Sequence, residues 1–255
     1  MAIDAEALAA LAGLPDLPED TSGTKPGTYV VRPSESSDSH FADDPEYVYK
    51  TWFQTPPLDP ETIRRIRSVQ LFAESNDQGF CDEPNNGTWT WFELAIMENQ
   101  HSDKPREKDG VTLAWSSHKN HLAQEEFEWK KGIHFGPNHD MFRLLEDDNV
   151  IAVRLCARFQ GWEMNVQGGY LKIEIGEEVE RPPIHFREVI NSVQAVQNVF
   201  QEINSVLVED SMQISTLPNQ FFTATMMQGH DKRPLRLLSL GKSFLTGYSH
   251  CTRAN

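Results

Sequence analysis

Residues 150–158, VIAVRLCAR, place the strongest constraint on the fold because they alternate with a period of two. Ile151, Val153 and Leu155 fall on one side of this stretch, and Arg154 falls on the other. Side chains of a β-strand point alternately to opposite faces of the sheet, so the pattern predicts a strand with one apolar face and one mixed face. A helix would instead need apolar residues three and four positions apart.

The segment TWTWFELAIM alternates in the same way, and turn signals such as Asp109-Gly110 separate the short apolar runs. The core residues expected from this segment are Phe92, Leu94 and Ile96. Strands are predicted at about residues 68–74, 88–98, 112–116, 126–129, 150–158 and 169–175. Short alternating runs of this kind favour a mainly β fold, and we expect an antiparallel, jelly-roll-like β-sandwich module over residues 47–180.

The segment before this module, residues 1–46, carries ten carboxylates against Lys25 and Arg32, a local charge of -8. It is rich in Ser, Asp and Pro and poor in large apolar residues, so it buries little surface to offset its ordering entropy. We therefore expect a flexible acidic leader. Asp4 is placed to cap a short helix within it, either as a docking peptide or as a fraying end.

Apolar residues after the module recur at steps of four and three between Val189 and Leu207, which predicts an amphipathic helix over residues 184–210. The helix is expected to pack on the sandwich, although its seam at residues 189–207 would also suit a partner chain. Residues 211–255 are expected to form an irregular tail.

The net charge of -15 disfavours nucleic-acid binding, which depends on neutralising phosphates with Lys and Arg. Three widely separated cysteines indicate a reducing compartment, and no run is long and apolar enough to span a membrane. We therefore expect a cytoplasmic protein without integral membrane association.

The common catalytic signatures are absent, including a nucleophile elbow, a glycine-rich phosphate loop and a zincin helix. This favours a non-catalytic protein with no metal and no cofactor. The enzyme alternative is a dispersed site built from His118, His121, His134 and Asp140.

The tryptophans suggest a binding function rather than catalysis. Trp89 and Trp91, close to Asp77 and Gln78, could form with Trp162 a platform on which a sugar ring or a peptide stacks. Two more tryptophans that could join this platform are Trp115 and Trp129. The alternative is that the tryptophans fill the core. The function expected is thus an intracellular binding or regulatory module for a carbohydrate or a protein surface.

Several segments, among them DQGF, WTWFE and QGW, resemble a β-rich module of large multidomain fungal proteins over about residues 68–175. RPLRLLSL resembles the strand that opens a patatin-like phospholipase domain. That resemblance implies an accessory region ahead of such a domain, with the catalytic domain missing. Gly241-Lys242-Ser243 stands where the family's glycine-rich oxyanion loop would begin, and neither Ser243 nor Ser249 lies in an elbow.

Overall fold

The computed structural model describes residues 3–81 and 87–181, which belong to one compact unit. The helix expected at residues 184–210 and the tail at 211–255 lie outside the described residues. The helices are α1 (Ala5–Ala12), α2 (Pro60–Arg65) and α3 (Asp140–Leu144). The strands are β1 (Gly27–Val31), β2 (Asp38–Phe41), β3 (Tyr47–Gln54), β4 (Ile66–Asp77), β5 (Thr90–Met97), β6 (Glu107–Lys108), β7 (Val111–Thr112), β8 (Ala114–Lys119), β9 (Glu128–Phe135), β10 (Val150–Arg158) and β11 (Glu163–Ile175).

Nine of these strands form two packed antiparallel sheets. The five-stranded sheet has the order β1-β11-β4-β9, with β2 also paired to β11, and the four-stranded sheet has the order β3-β10-β5-β8. Leaving out β2 and the short β6 and β7, the pairs are nested along the chain. β1 pairs with β11, β3 with β10, β4 with β9 and β5 with β8. This nesting is the connectivity of a jelly roll, so the expected mainly β sandwich is confirmed.

The core between the sheets contains the predicted faces of β5 and β10. Phe92, Leu94 and Ile96 have no exposed surface, and they lie in register with Leu155, Val153 and Ile151 on the neighbouring strand. The opposite face of β10 is also covered, since Ala152, Arg154 and Cys156 are buried. Alternation in the sequence therefore predicted the two faces of β10, but it did not predict that the outer face is buried as well.

Strand β3 contains a β-bulge that the sequence did not suggest. Phe53 pairs with Val153 and Thr51 pairs with Arg154, which leaves Trp52 as the extra residue. The indole reaches across to β11, where a Cβ on Gly169 would lie 2.5 Å from Trp52 Cη2. A glycine is required there because the ring occupies the space of any side chain.

The prediction of a flexible leader over residues 1–46 is wrong, since this segment supplies α1, β1 and β2. Asp4 caps α1 as expected, with Oδ1 accepting a hydrogen bond of 2.7 Å from the Ala7 N–H. Strands β1 and β2 pair with β11, and Leu11 and Leu17 are 6% and 5% exposed. The edge of β11 offers a ladder of backbone partners, so a few apolar residues are enough to hold the segment despite its charge. The sandwich therefore begins before residue 47.

Replacing Leu17 by Ala is expected to lower the free energy of unfolding by about 3 kcal/mol, because the side chain is buried beside β1. For a domain of this size that is about 6 to 12 °C in melting temperature. Leu8→Ala is the matched control, since Leu8 is only half-buried in α1, and it should cost clearly less. Equal melting temperatures for the Leu17 variant and the parent chain would show that the segment does not contribute to folding.

Candidate functional site

Asp77 is the last residue of β4, and its side chain bonds to the adjoining loops rather than lining an open groove. Its side chain is 2% exposed, and its carboxylate accepts hydrogen bonds from the backbone N–H groups of Gly79, Ala123 and Gln124, at 2.9, 2.7 and 2.8 Å. Burial raises the pKa of Asp77, and these three hydrogen bonds oppose that shift. The carboxylate ties the end of β4 to the loop before β9.

Gln78 and Trp162 also make contacts within loops. Gln78 donates from Nε2 to the Phe80 carbonyl, and its Oε1 accepts from the Glu163 N–H. Trp162 is 2% exposed, so its ring offers no face to a ligand. Of the five residues predicted to form a platform, these two and Asp77 therefore lie in or beside the loops at one end of the sandwich.

Trp89 and Trp91 are half-buried and have different neighbours. Trp91 stacks on Tyr47 with ring centroids 5.5 Å apart and donates from Nε1 to Glu93 Oε1 at 2.8 Å. Trp89 packs edge-on against Phe159 at 4.7 Å. Neither ring enters the core, and of the six tryptophans only Trp162 is fully buried.

A buried arginine lies under the aromatic rings on the outer face of the four-stranded sheet. Arg154 is 1% exposed, and its guanidinium carbon lies 3.4 Å from the centroid of the Tyr49 ring. It donates from Nη2 to the Tyr47 hydroxyl and lies 3.6 Å from Glu93 Oε2. The Nε and Nη1 groups have no hydrogen-bond partner among the described residues. Burial also raises the pKa of the neighbouring Cys156 thiol, which disfavours the thiolate form.

Replacing Glu93 by Ala is expected to destabilise the fold by about 3 kcal/mol or more, because it leaves the Arg154 charge buried without its carboxylate partner. The matched control is Glu98→Ala, since the Glu98 side chain is 66% exposed and its loss should cost less than about 0.5 kcal/mol. Urea unfolding of both variants measures the difference. Similar midpoints for the two would show that the Arg154 charge is stabilised without Glu93.

The five-stranded sheet carries a groove on its outer face. The groove has a volume of about 560 Å³ and is lined by Ser37, Asp38, Ser39, Asn76, Phe127, Asn165, Val166 and Gln167. Asn165 of β11 lies in register with Ser39 of β2 and with Asn76 of β4, so a row of hydroxyl and amide groups crosses three strands. Phe127 ends this row and is 38% exposed. We call this feature the amide groove.

Asn76 has an unused acceptor in the amide groove. The residue is 7% exposed, and its Nδ2 donates to the Glu125 carbonyl at 2.6 Å, but its Oδ1 has no partner among the described residues. The side chains of Asn165 and Gln167 likewise make no hydrogen bond within the described part of the chain. Because this oxygen is buried, the polar side chains of the groove that a ligand can reach are those of Ser39, Asn165 and Gln167.

An aromatic pair continues the same face one row away. Trp129 of β9 lies in register with Glu74 of β4, which pairs with Gly168 of β11. A Cβ on Gly168 would lie 2.9 Å from Trp129 Cζ2, so the indole lies against bare backbone. Trp129 stacks on Tyr170 with centroids 5.6 Å apart and planes 19° apart. Of the residues on this face, the sequence predicted only Trp129 as part of a site. Gly168-Gly169 was interpreted as a turn, and the outward amide side chains of the groove produce no apolar pattern.

The four residues of the enzyme alternative have separate surroundings. His118 is stacked on Phe92, at 4.6 Å between ring centroids, and His121 Nδ1 lies 3.2 Å from a Glu128 oxygen. Asp140 pairs with Arg143 in α3. His134 lies on β9, and within the described ranges no hydrogen bond, ion pair or ring contact joins any two of these four residues. Nor do the described residues contain a cluster of three His, Cys, Asp or Glu side chains suited to a metal ion.

Burial lowers the pKa of His118 to about 3, and the nearby Lys130 charge acts in the same direction. As the pH falls below about 6.5, His118 is therefore protonated in the unfolded chain but stays neutral in the folded chain. The stability from this residue is present above pH 6.5 and is lost as the pH falls towards 3, at about 1.4 kcal/mol per pH unit.

The variant His118→Phe keeps a ring on Phe92 and should reduce the slope of unfolding free energy against pH between 6 and 4 by about 1.4 kcal/mol per unit. His40 and His139, whose pKa values burial also lowers, leave a residual slope of the same sign. His121→Phe is the control for the substitution itself, because that side chain is 60% exposed and lies outside the core. An unchanged slope in the His118 variant would contradict this assignment.

No family model matches the chain, and no curated protein matches it. Among solved structures, it is similar to the VP2 subviral particle of infectious bursal disease virus, with a TM-score of 0.34 and 13% sequence identity. The match covers 59% of this chain and 33% of that one. Within the described residues, no helix has the length and apolar character needed to cross a bilayer.

Proposed function

We propose that this chain is a non-catalytic binding module and that the amide groove binds a neutral carbohydrate. The observation that carries the proposal is the set of polar side chains of Ser39, Asn165 and Gln167, which have no hydrogen-bond partner among the described residues and which a nearby aromatic pair extends. This keeps the aromatic platform expected from the sequence but assigns it to Trp129 and Tyr170.

The chemistry of the groove matches a sugar. Each amide side chain offers both donors and an acceptor, as a sugar hydroxyl does, so Asn165 and Gln167 can bind neighbouring hydroxyls. Aromatic rings pack against the apolar face of a sugar ring while their edges stay in water. A groove of about 560 Å³ lies within the size range of small-ligand sites.

Charge favours a neutral ligand over an acidic one. Asp38 lines the groove, Glu74 lies in the row between Gly168 and Trp129, and the whole chain carries -15. An anionic sugar or a phosphate would be repelled by this field. Lys50 contacts Asp38 at the margin and offsets only part of the local charge.

The second candidate function is a binding surface for a protein, which the exposed ring of Phe127 would suit. A role beside a patatin-like hydrolase rests on residues 235–240, which lie outside the described residues. A cytoplasmic location is part of the proposal, and it rests on the wide spacing of the cysteines.

The binding test uses cellohexaose, laminarihexaose, xylohexaose and mannohexaose, each titrated separately into the full chain by calorimetry. Trp129→Ala should weaken binding at the amide groove at least about tenfold, or about 1.4 kcal/mol. Gly168→Ala should weaken it too, because the new Cβ displaces the indole. Trp115→Ala is the matched control, since Trp115 is a half-buried ring on the other sheet.

Equal affinity in the Trp129 and Trp115 variants would place the ligand elsewhere. The absence of binding to all four sugars would reject the carbohydrate proposal and leave the protein surface as the remaining candidate. Circular dichroism of each variant separates a lost contact from a lost fold.

A further inference from the structure

A second cleft lies on the opposite side of the sandwich. It has a volume of about 500 Å³ and is lined by Tyr49, Thr51, Trp52, Phe53, Gln54, Gln100, His101, Ser102 and Asp103. Strand β3 forms one wall, and residues 100–103, in the loop that follows β5, form the other. We call it the β3 cleft. It shares no lining residue with the amide groove.

We propose that the β3 cleft is a second site for a neutral carbohydrate, so that one module holds two sugar chains at once. The inference rests on the proposed function, because it assigns the same ligand class to both clefts. It adds a site that the amide groove does not require and that the sequence did not suggest.

The aromatic wall of the cleft is held in place from below. The guanidinium of Arg154 lies against the ring of Tyr49, and the Tyr47 hydroxyl and Glu93 in turn hold Arg154. One face of the Tyr49 ring is thereby occupied by a buried side chain, and the residue is fixed at the cleft. A rigid ring binds a sugar face with little loss of side-chain entropy.

The opposite wall is also preformed. Gln54 Nε2 donates to the Gln100 carbonyl at 2.8 Å, which ties the loop to β3. Asn99 Oδ1 accepts from the His101 N–H at 2.9 Å and closes a turn at the start of the loop. These bonds leave the Gln54 amide oxygen and the Thr51 hydroxyl without a partner among the described residues.

The loop wall also carries an exposed acidic group, Asp103. The carboxylate of Asp103 accepts from hydroxyl groups and disfavours anionic ligands, as Asp38 does in the amide groove.

The test counts bound sugars by equilibrium dialysis at saturating concentrations of the same four hexaoses. At least one of them should bind with a stoichiometry of two per chain. Tyr49→Ala should reduce it to one, Trp129→Ala should also reduce it to one, and the double variant should bind none. Tyr49→Phe keeps the ring and should restore two. Phe41→Ala, an exposed ring outside both clefts, is the control.

A stoichiometry of one that Trp129→Ala alone abolishes would overturn the second site and leave the proposed function intact. No binding of any hexaose would remove both. Because Tyr49 packs on Arg154, its Ala variant can lose stability, so a double change of the exposed Gln100 and His101 to Ala provides an independent test. Two bound sugars in that variant, with native melting, would also contradict the proposal.

Discussion

The pairing of β11 at the centre of the five-stranded sheet is the interaction on which the rest of the structure depends. β11 spans thirteen residues and bonds to β4 along one side and to β1 and β2 along the other. Its inward residues complete the core, and its outward residues supply Asn165, Gln167 and Tyr170. The same ladder also explains why the acidic first segment is ordered, since β11 would otherwise present an unpaired edge.

Both sheets carry features on their outer faces that a simple sandwich would leave to solvent. The four-stranded sheet buries Arg154 beneath Tyr47 and Tyr49, where the cost of desolvating a charge is offset by Glu93 and by the aromatic ring. The five-stranded sheet lays Trp129 on Gly168. In each case the outward side chain is held by a neighbour, so the surface is rigid before any ligand arrives.

Period-two alternation was enough to predict β10 with its bounds and the core face of β5, because those strands have a strictly apolar face. β11 was predicted only from Gly169 onwards. Its first half includes polar Asn165 and Gln167, and a β-bulge at Gln167 lies where Gly168-Gly169 predicted a turn. β1 and β2 were missed because their stability comes from backbone pairing with a distant strand, which local composition does not report. Which outward residues form a groove depends on register between strands, and a single sequence does not contain that information.

Several loop side chains of this module bond to the protein itself, which explains why the candidate sites lie mainly on the faces of the sheets. The Asp77 carboxylate accepts hydrogen bonds from three backbone N–H groups of loops. Arg106 donates to the Leu144 carbonyl, the Asn149 side-chain oxygen and the Glu146 carboxylate. A side chain whose hydrogen bonds are all satisfied within the protein gains nothing from a ligand. The amide groove and the β3 cleft are different, because they combine aromatic surface with donors or acceptors that have no protein partner among the described residues. Recognition is therefore expected on the faces of the sandwich rather than at the loop ends.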